Sequence, residues 1–252
     1  MTVQHKKRLH LLDALRGWCL VNMITYHGLW NLVYLFGLDL AWYRGAPGYI
    51  WQQSICWSFI LLSGFCWKMG RHHLKRGLMV FGGGLLVSVV THLLMPQSRI
   101  TFGILTFTGS AVLLMIPLDK LLKKVPDGLG FLISTALFAV LKNCNSGELG
   151  FESFVICDLP RSLYQNMLTT YLGFPMKGFS SADYFPLLPW LFLFTAGYFL
   201  YGMLHSRNLD RKLFAKGNVP VLNWMGRHSL LIYLLHQPVL YGLCLVYAHF
   251  KG

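Results

Sequence analysis

LDALRGWCLVNMITYHGLWNLVYLFG, residues 12–37, is long and apolar enough to cross a bilayer, yet it carries Asp13, Arg16, His27 and Asn31. At about 100° per residue, Arg16 and His27 face nearly the same way along a helix. Asp13 falls within about 40° of that line and Asn31 within about 60°. One stripe of this helix is therefore polar over most of its length. Ionisable groups at such depth each cost roughly 3 kcal/mol on insertion scales, so they mark a pathway or a site.

The rest of the chain has the same character. Of its 252 residues 55% are hydrophobic and only 12% charged, and mean hydropathy is +0.50. A water-soluble chain of this length could not hide so much apolar surface, which predicts an all-α, polytopic transmembrane helix bundle. The apolar runs predict about seven spans: 10–37, 48–69, 76–95, 102–118, 128–142, 186–204 and 219–249. The fourth and fifth are short for a full crossing. No repeat or linker divides the runs, so residues 1–252 read as one integral-membrane domain. Fifteen of the 22 Lys and Arg residues lie at one set of span ends: 6–8, 68–76, 120–124 and 207–227. The opposite ends carry Arg44, Arg99, Lys142, Arg161, Lys177 and Lys251. By the positive-inside rule the N-terminus is cytoplasmic. Asp13 and Arg16 interrupt the first run, which argues against a cleavable signal peptide.

A net charge of +13 would suit a nucleic acid if it were concentrated. Here it is dispersed through short juxtamembrane loops, as topology and anionic lipid require, and nucleic-acid binding is not expected. An anionic ligand arriving from the cytoplasm would still meet a favourable field. The six cysteines show no metal-binding spacing. Cys144 and Cys157 share one long connection, about 143–185, and could pair in an oxidising compartment. That connection holds RSLYQNMLTTYLGF, too short and polar to span, which reads as a surface or capping piece.

Asp183 precedes the sixth span, with Pro186 and Pro189 at its start. It suits a helix cap as well as a site lining. In the last span Ser229, Tyr233 and His236 share one face, and Pro238 predicts a kink just beyond. Such a stripe serves interhelical hydrogen bonding or chemistry. Gly64, and GGG at 82–84, read as places where a neighbouring backbone approaches closely. His72 and His73 read as a solvated turn.

There is no phosphate-binding loop, no HExxH and no GxSxG. What remains is one intramembrane histidine within a polar stripe. An imidazole can take a proton from an attacking hydroxyl or amine, or carry an acyl group itself. The same stripe also suits a proton-coupled transporter, with Asp13, His27 and His236 as its relay.

The pattern LDALRG, with His27 ten residues after Gly17, resembles the first helix of membrane-integrated acyltransferases. WQQSICWSFILLSGF, RITFGILTFTGSAVLLMIPLDKLL, DYFPLLPWLFLFTAGY and GRHSLLIYLLHQPVL point more narrowly to bacterial relatives of the heparan-α-glucosaminide N-acetyltransferase catalytic-domain family. The resemblance implies acetyl-CoA as acyl donor from the cytoplasm. It implies a glycan or small amine or hydroxyl acceptor on the far side, no metal, and a bacterial plasma membrane. By it, His27 is catalytic as base or acyl carrier. Arg16 and Asp13 bind the cofactor, Arg16 touching CoA or only pairing with Asp13. Asn31, Asp183, Trp190, Tyr233 and His236 line the substrate site. Homodimers are compatible with such bundles. Two departures stand out. The lysosomal enzyme has asparagine where His27 stands, with its histidine in the following loop, and none lies around Trp42, Tyr43 and Arg44 here. Thr106 stands where many bacterial relatives read His.

Overall fold

The computed structural model describes residues 9–215 and 217–251. Lys6, Lys7, Arg8 and Lys216, which enter the charge argument, lie outside them. Among the described residues there are eleven α-helices and one two-stranded hairpin. The helices are α1 (His10–Trp30), α2 (Ala41–Arg44), α3 (Ala46–Trp67), α4 (His73–Leu94), α5 (Ile104–Leu122) and α6 (Asp127–Val140). They continue with α7 (Met167–Leu172), α8 (Trp190–Ser206), α9 (Leu209–Phe214), α10 (Pro220–Arg227) and α11 (Ser229–Lys251). Each apolar run is thus helical over most of its length. Among the described residues four stretches are long and apolar enough to cross a membrane: His73–Leu94, Ile104–Leu122, Asp127–Ser146 and Ser229–Tyr247. Outward-facing leucines such as Leu93 and Leu94, at 75% and 76% exposed, suit a lipid environment.

The chain forms two compact units. One takes the residues up to Phe59 and from His205 onward, the other Ile60–Leu204. In the first, α1 lies against α10 through two reciprocal notches. A Cβ on Gly17 would sit 2.1 Å from the Leu222 carbonyl oxygen, and one on Gly226 1.9 Å from that of Asp13. Only hydrogen fits at either position, so the backbones meet where any side chain would hold them apart. Tyr43 of α2 is 3% exposed and donates to the Tyr26 carbonyl at 2.9 Å. Trp51 Nε1 donates to Asn22 Oδ1 at 3.0 Å.

The second unit repeats the device twice. Gly64 meets the Phe194 carbonyl at 1.9 Å while Gly197 meets that of Leu61 at 2.1 Å. Gly84 packs against Thr106, and Gly109 against Phe81. Of the GGG run, Gly84 serves close packing as expected, whereas Gly82 has nothing within 4 Å. Phe107, Met115, Phe194, Tyr198 and Phe199 form the buried centre.

Several boundaries differ from the sequence reading. The last run breaks at His228 into α10 and α11, and Pro238 lies inside α11. The sixth run becomes helical only at Trp190, because two prolines lie just before it. Within RSLYQNMLTTYLGF a 3-10 turn, Arg161–Leu163, precedes a short α-helix, Met167–Leu172, which is started by an Asn166–Thr169 capping box. Ahead of it, β1 (Glu148–Phe151) and β2 (Phe154–Asp158) pair antiparallel, a hairpin that the apolar pattern did not reveal. Cys144 and Cys157 are both free. Cys144 is buried facing the Gly173 and Leu188 carbonyls, while Cys157 lies on the exposed strand β2.

Candidate functional site

In the first unit the polar stripe of α1 meets α11 as two successive rungs. The upper rung is His27 and His236, their ring centroids 5.1 Å apart and tilted by 57°. Tyr233 packs its ring 5.2 Å from that of His236. His236 Nδ1 lies within hydrogen-bond reach of the Tyr233 carbonyl. A carbonyl only accepts, so the proton sits on Nδ1 and neutral His236 presents a bare Nε2 lone pair. That Nε2 is buried without a hydrogen-bond partner among the described residues.

The second rung is one helical turn on. Asn31, 0% exposed, accepts a 2.9 Å hydrogen bond at Oδ1 from Gln237 Nε2. Asn31 also opens a π-helical turn, Asn31–Leu35, in which the backbone widens one turn after His27. Such bulges are frequent at functional sites. Of the residues that the sequence reading assigned to the site, the structure brings His27, Asn31, Tyr233 and His236 together, while Asp183 and Trp190 lie in the second unit. The sequence reading missed Gln237, although a glutamine inside an apolar run beside His236 was signal enough.

Asp13 and Arg16 lie further down α1. Asp13 is 7% exposed, with Arg16 Nη2 3.7 Å from its Oδ1. Gly226 against the Asp13 carbonyl fixes this turn of α1 on α10. A half-open cavity of about 270 Å³ adjoins, lined by His10, Asp13, Asn218, Pro220, Asn223 and Arg227. Asn223, 3% exposed, accepts from the Val219 amide at 3.1 Å and lies 3.2 Å from Asn218 Oδ1 and 3.3 Å from His10 Nδ1. Arg16 pairs with Asp13 and does not line the cavity. The cation on its wall is Arg227, which the sequence reading used only for orientation. The wall therefore offers a guanidinium and an imidazole against one carboxylate.

Asp183 and Trp190 belong to the second unit. Asp183 Oδ2 accepts from the Ile104 amide at 3.0 Å, so it caps α5 rather than the sixth span it precedes. Loss of solvent pushes its pKa up to about 6, partly offset by the Ile104 N–H. Trp190, 7% exposed, packs between Phe138 and Phe185 at centroid distances of 5.6 and 4.9 Å, with Lys142 Nζ 5.6 Å over its ring. A further polar group escaped the sequence reading. Lys68 Nζ lies 3.1 Å from Asp127 and 4.0 Å over the Tyr198 ring, and the Tyr198 hydroxyl donates to Asp119 at 2.6 Å. His73 stacks on Trp67 at 4.1 Å instead of standing free in a solvated turn.

The family model for the catalytic region of heparan-alpha-glucosaminide N-acetyltransferase matches residues 8–238. No curated protein and no solved structure matches the chain.

Proposed function

This chain belongs to the heparan-alpha-glucosaminide N-acetyltransferase catalytic family, and on that premise we propose that it is an integral-membrane acetyltransferase. It takes acetyl from cytoplasmic acetyl-CoA and delivers it to an amine or hydroxyl of an extracytoplasmic or membrane-borne sugar. The seven long helices α1, α3, α4, α5, α6, α8 and α11 are its spans, with the N-terminus cytoplasmic. The observation that carries this reading is the contact of two imidazoles, His27 and His236, on facing helices beside buried Asn31.

In the direct route the acceptor proton passes to His27 as its oxygen or nitrogen attacks the thioester carbonyl. The C–S bond then breaks and CoA leaves as the thiolate. In the two-step route His27 carries the acetyl group and the acceptor displaces it. Either route needs a neutral imidazole. His10 and Arg227, on the cavity wall at the N-terminal end of α1, would meet the anionic end of CoA. Asp13 holds Arg16 at that level.

Thiol release from acetyl-CoA by the purified protein, with and without His27→Ala, tests the reading. Turnover in the wild type and a loss of at least about a hundredfold in the variant are expected. A wild type that neither binds acetyl-CoA nor releases thiol overturns the proposal. The His27–His236 contact would also serve a proton relay, so a transporter is the second reading. Solute flux in proteoliposomes without acetyl-CoA would favour it.

A further inference from the structure

Asn31 and Gln237 are joined by one hydrogen bond where two carboxamides could make two. The second pairing, Asn31 Nδ2 with Gln237 Oε1, is not made. Both atoms are buried with no hydrogen-bond partner among the described residues. The two amides therefore touch at one corner and leave an NH2 donor and an oxygen acceptor unpaired at the other. Exchanging N and O in both side chains swaps which residue holds which group. One donor and one acceptor remain all the same.

We propose that this open corner is a hydroxyl-binding subsite for the acetyl acceptor and that Gln237 is one of its positioning residues. A hydroxyl accepts from the free N–H and donates to the free oxygen, closing the ring that the amides leave open. An ammonium group brings only donors, and a carboxylate or phosphate only acceptors. Each would leave one buried atom unpaired. The subsite lies one helical turn from the His27–His236 rung, so the hydroxyl it holds flanks the reacting group and is not itself acylated. The acceptor class is thus a neutral polyol such as a sugar, held by a hydroxyl near the one that reacts. This inference rests on the acetyl-transfer reading above. The imidazole rung handles the proton and the amide rung sets the acceptor's position.

The test uses the full-length protein in lipid nanodiscs with radiolabelled acetyl-CoA. Its acceptors are methyl glucoside and the single-deoxy analogues of that sugar. For the wild type, removal of one particular hydroxyl should raise KM about tenfold or more while the other deletions do little. In Gln237→Leu, and in the isosteric Gln237→Glu, which leaves two acceptors and no donor, that same deletion should no longer matter. Equal losses for all analogues in the variants would overturn the inference and make the pair a structural clamp between α1 and α11. Thiol release without transfer to any glucoside would overturn it while leaving acetyl-CoA chemistry intact. No thiol release at all would remove both readings.

Discussion

The histidine at position 27 carries the chemistry proposed here, but its environment is built by neighbours of different legibility. Asp13, Arg16, His27 and Asn31 could be read from spacing alone, because a polar stripe on an apolar helix is visible in the string. Which residue stands across from each could not. Tyr233, His236 and Gln237 are visible as polar groups in an apolar run, but the pairing of Gln237 with Asn31 and of Asn223 toward His10 is long-range, which periodicity does not encode. Asp183 shows the opposite case, a residue whose type suggested a cap and whose capped helix was misplaced. It serves α5, from another part of the chain. Its carboxyl is held above the ordinary value of 3.8, at about 6. The folded state therefore binds this proton more tightly than the unfolded state. The stability it contributes is present below about pH 4 and is lost as pH rises through about 6. Thermal unfolding followed between pH 4 and 7 should show this decline in the wild type. Asp183→Asn, which keeps an acceptor for Ile104, should flatten it. An identical pH profile in the two proteins would remove the proposed titration.

At the scale of elements, the helices follow from apolar run length, and their contacts follow from glycine. Gly17 with Gly226, Gly64 with Gly197, and Gly84 with Gly109 each let one backbone press on another. The sequence marked Gly64 and the GGG run but could not pair any glycine with its partner helix. It also could not separate Gly84, buried against Thr106, from Gly82, exposed with open space around it. A matched pair of variants draws that line. Gly84→Ala should destabilise the protein by about 1–3 kcal/mol, because the added methyl must displace the α5 backbone. Gly82→Ala should be neutral or stabilising by up to about 1 kcal/mol through helix propensity. Detergent-solubilised yield and thermal midpoints would check both, and equal effects would contradict the packing argument. The β1–β2 hairpin and the break at His228 were illegible for a related reason. FVICD looks like another apolar fragment, and a change of helix direction leaves no periodic signature.

At the scale of the whole molecule, composition and charge asymmetry predict an integral-membrane helical protein with a defined sidedness. Four stretches among the described residues are apolar and long enough to cross a membrane. α1 owes its lower apolarity to the polar stripe that makes it interesting. Family membership over residues 8–238 supplies the acetyl-transfer premise, and the rungs between α1 and α11 supply groups that can execute it. The central claim is that acetyl leaves CoA on the cytoplasmic side and appears on an acceptor at the other. Sealed proteoliposomes of uniform orientation measure this directly. Labelled acetyl-CoA is confined to the side of the N-terminus, with a sugar acceptor on the far side, and both thiol and acetylated acceptor are recorded. The account predicts thiol on the donor side and labelled acceptor across the membrane in equal amounts, both lost in His27→Ala. Acceptor crossing the membrane unmodified, with acetyl-CoA intact, would contradict it.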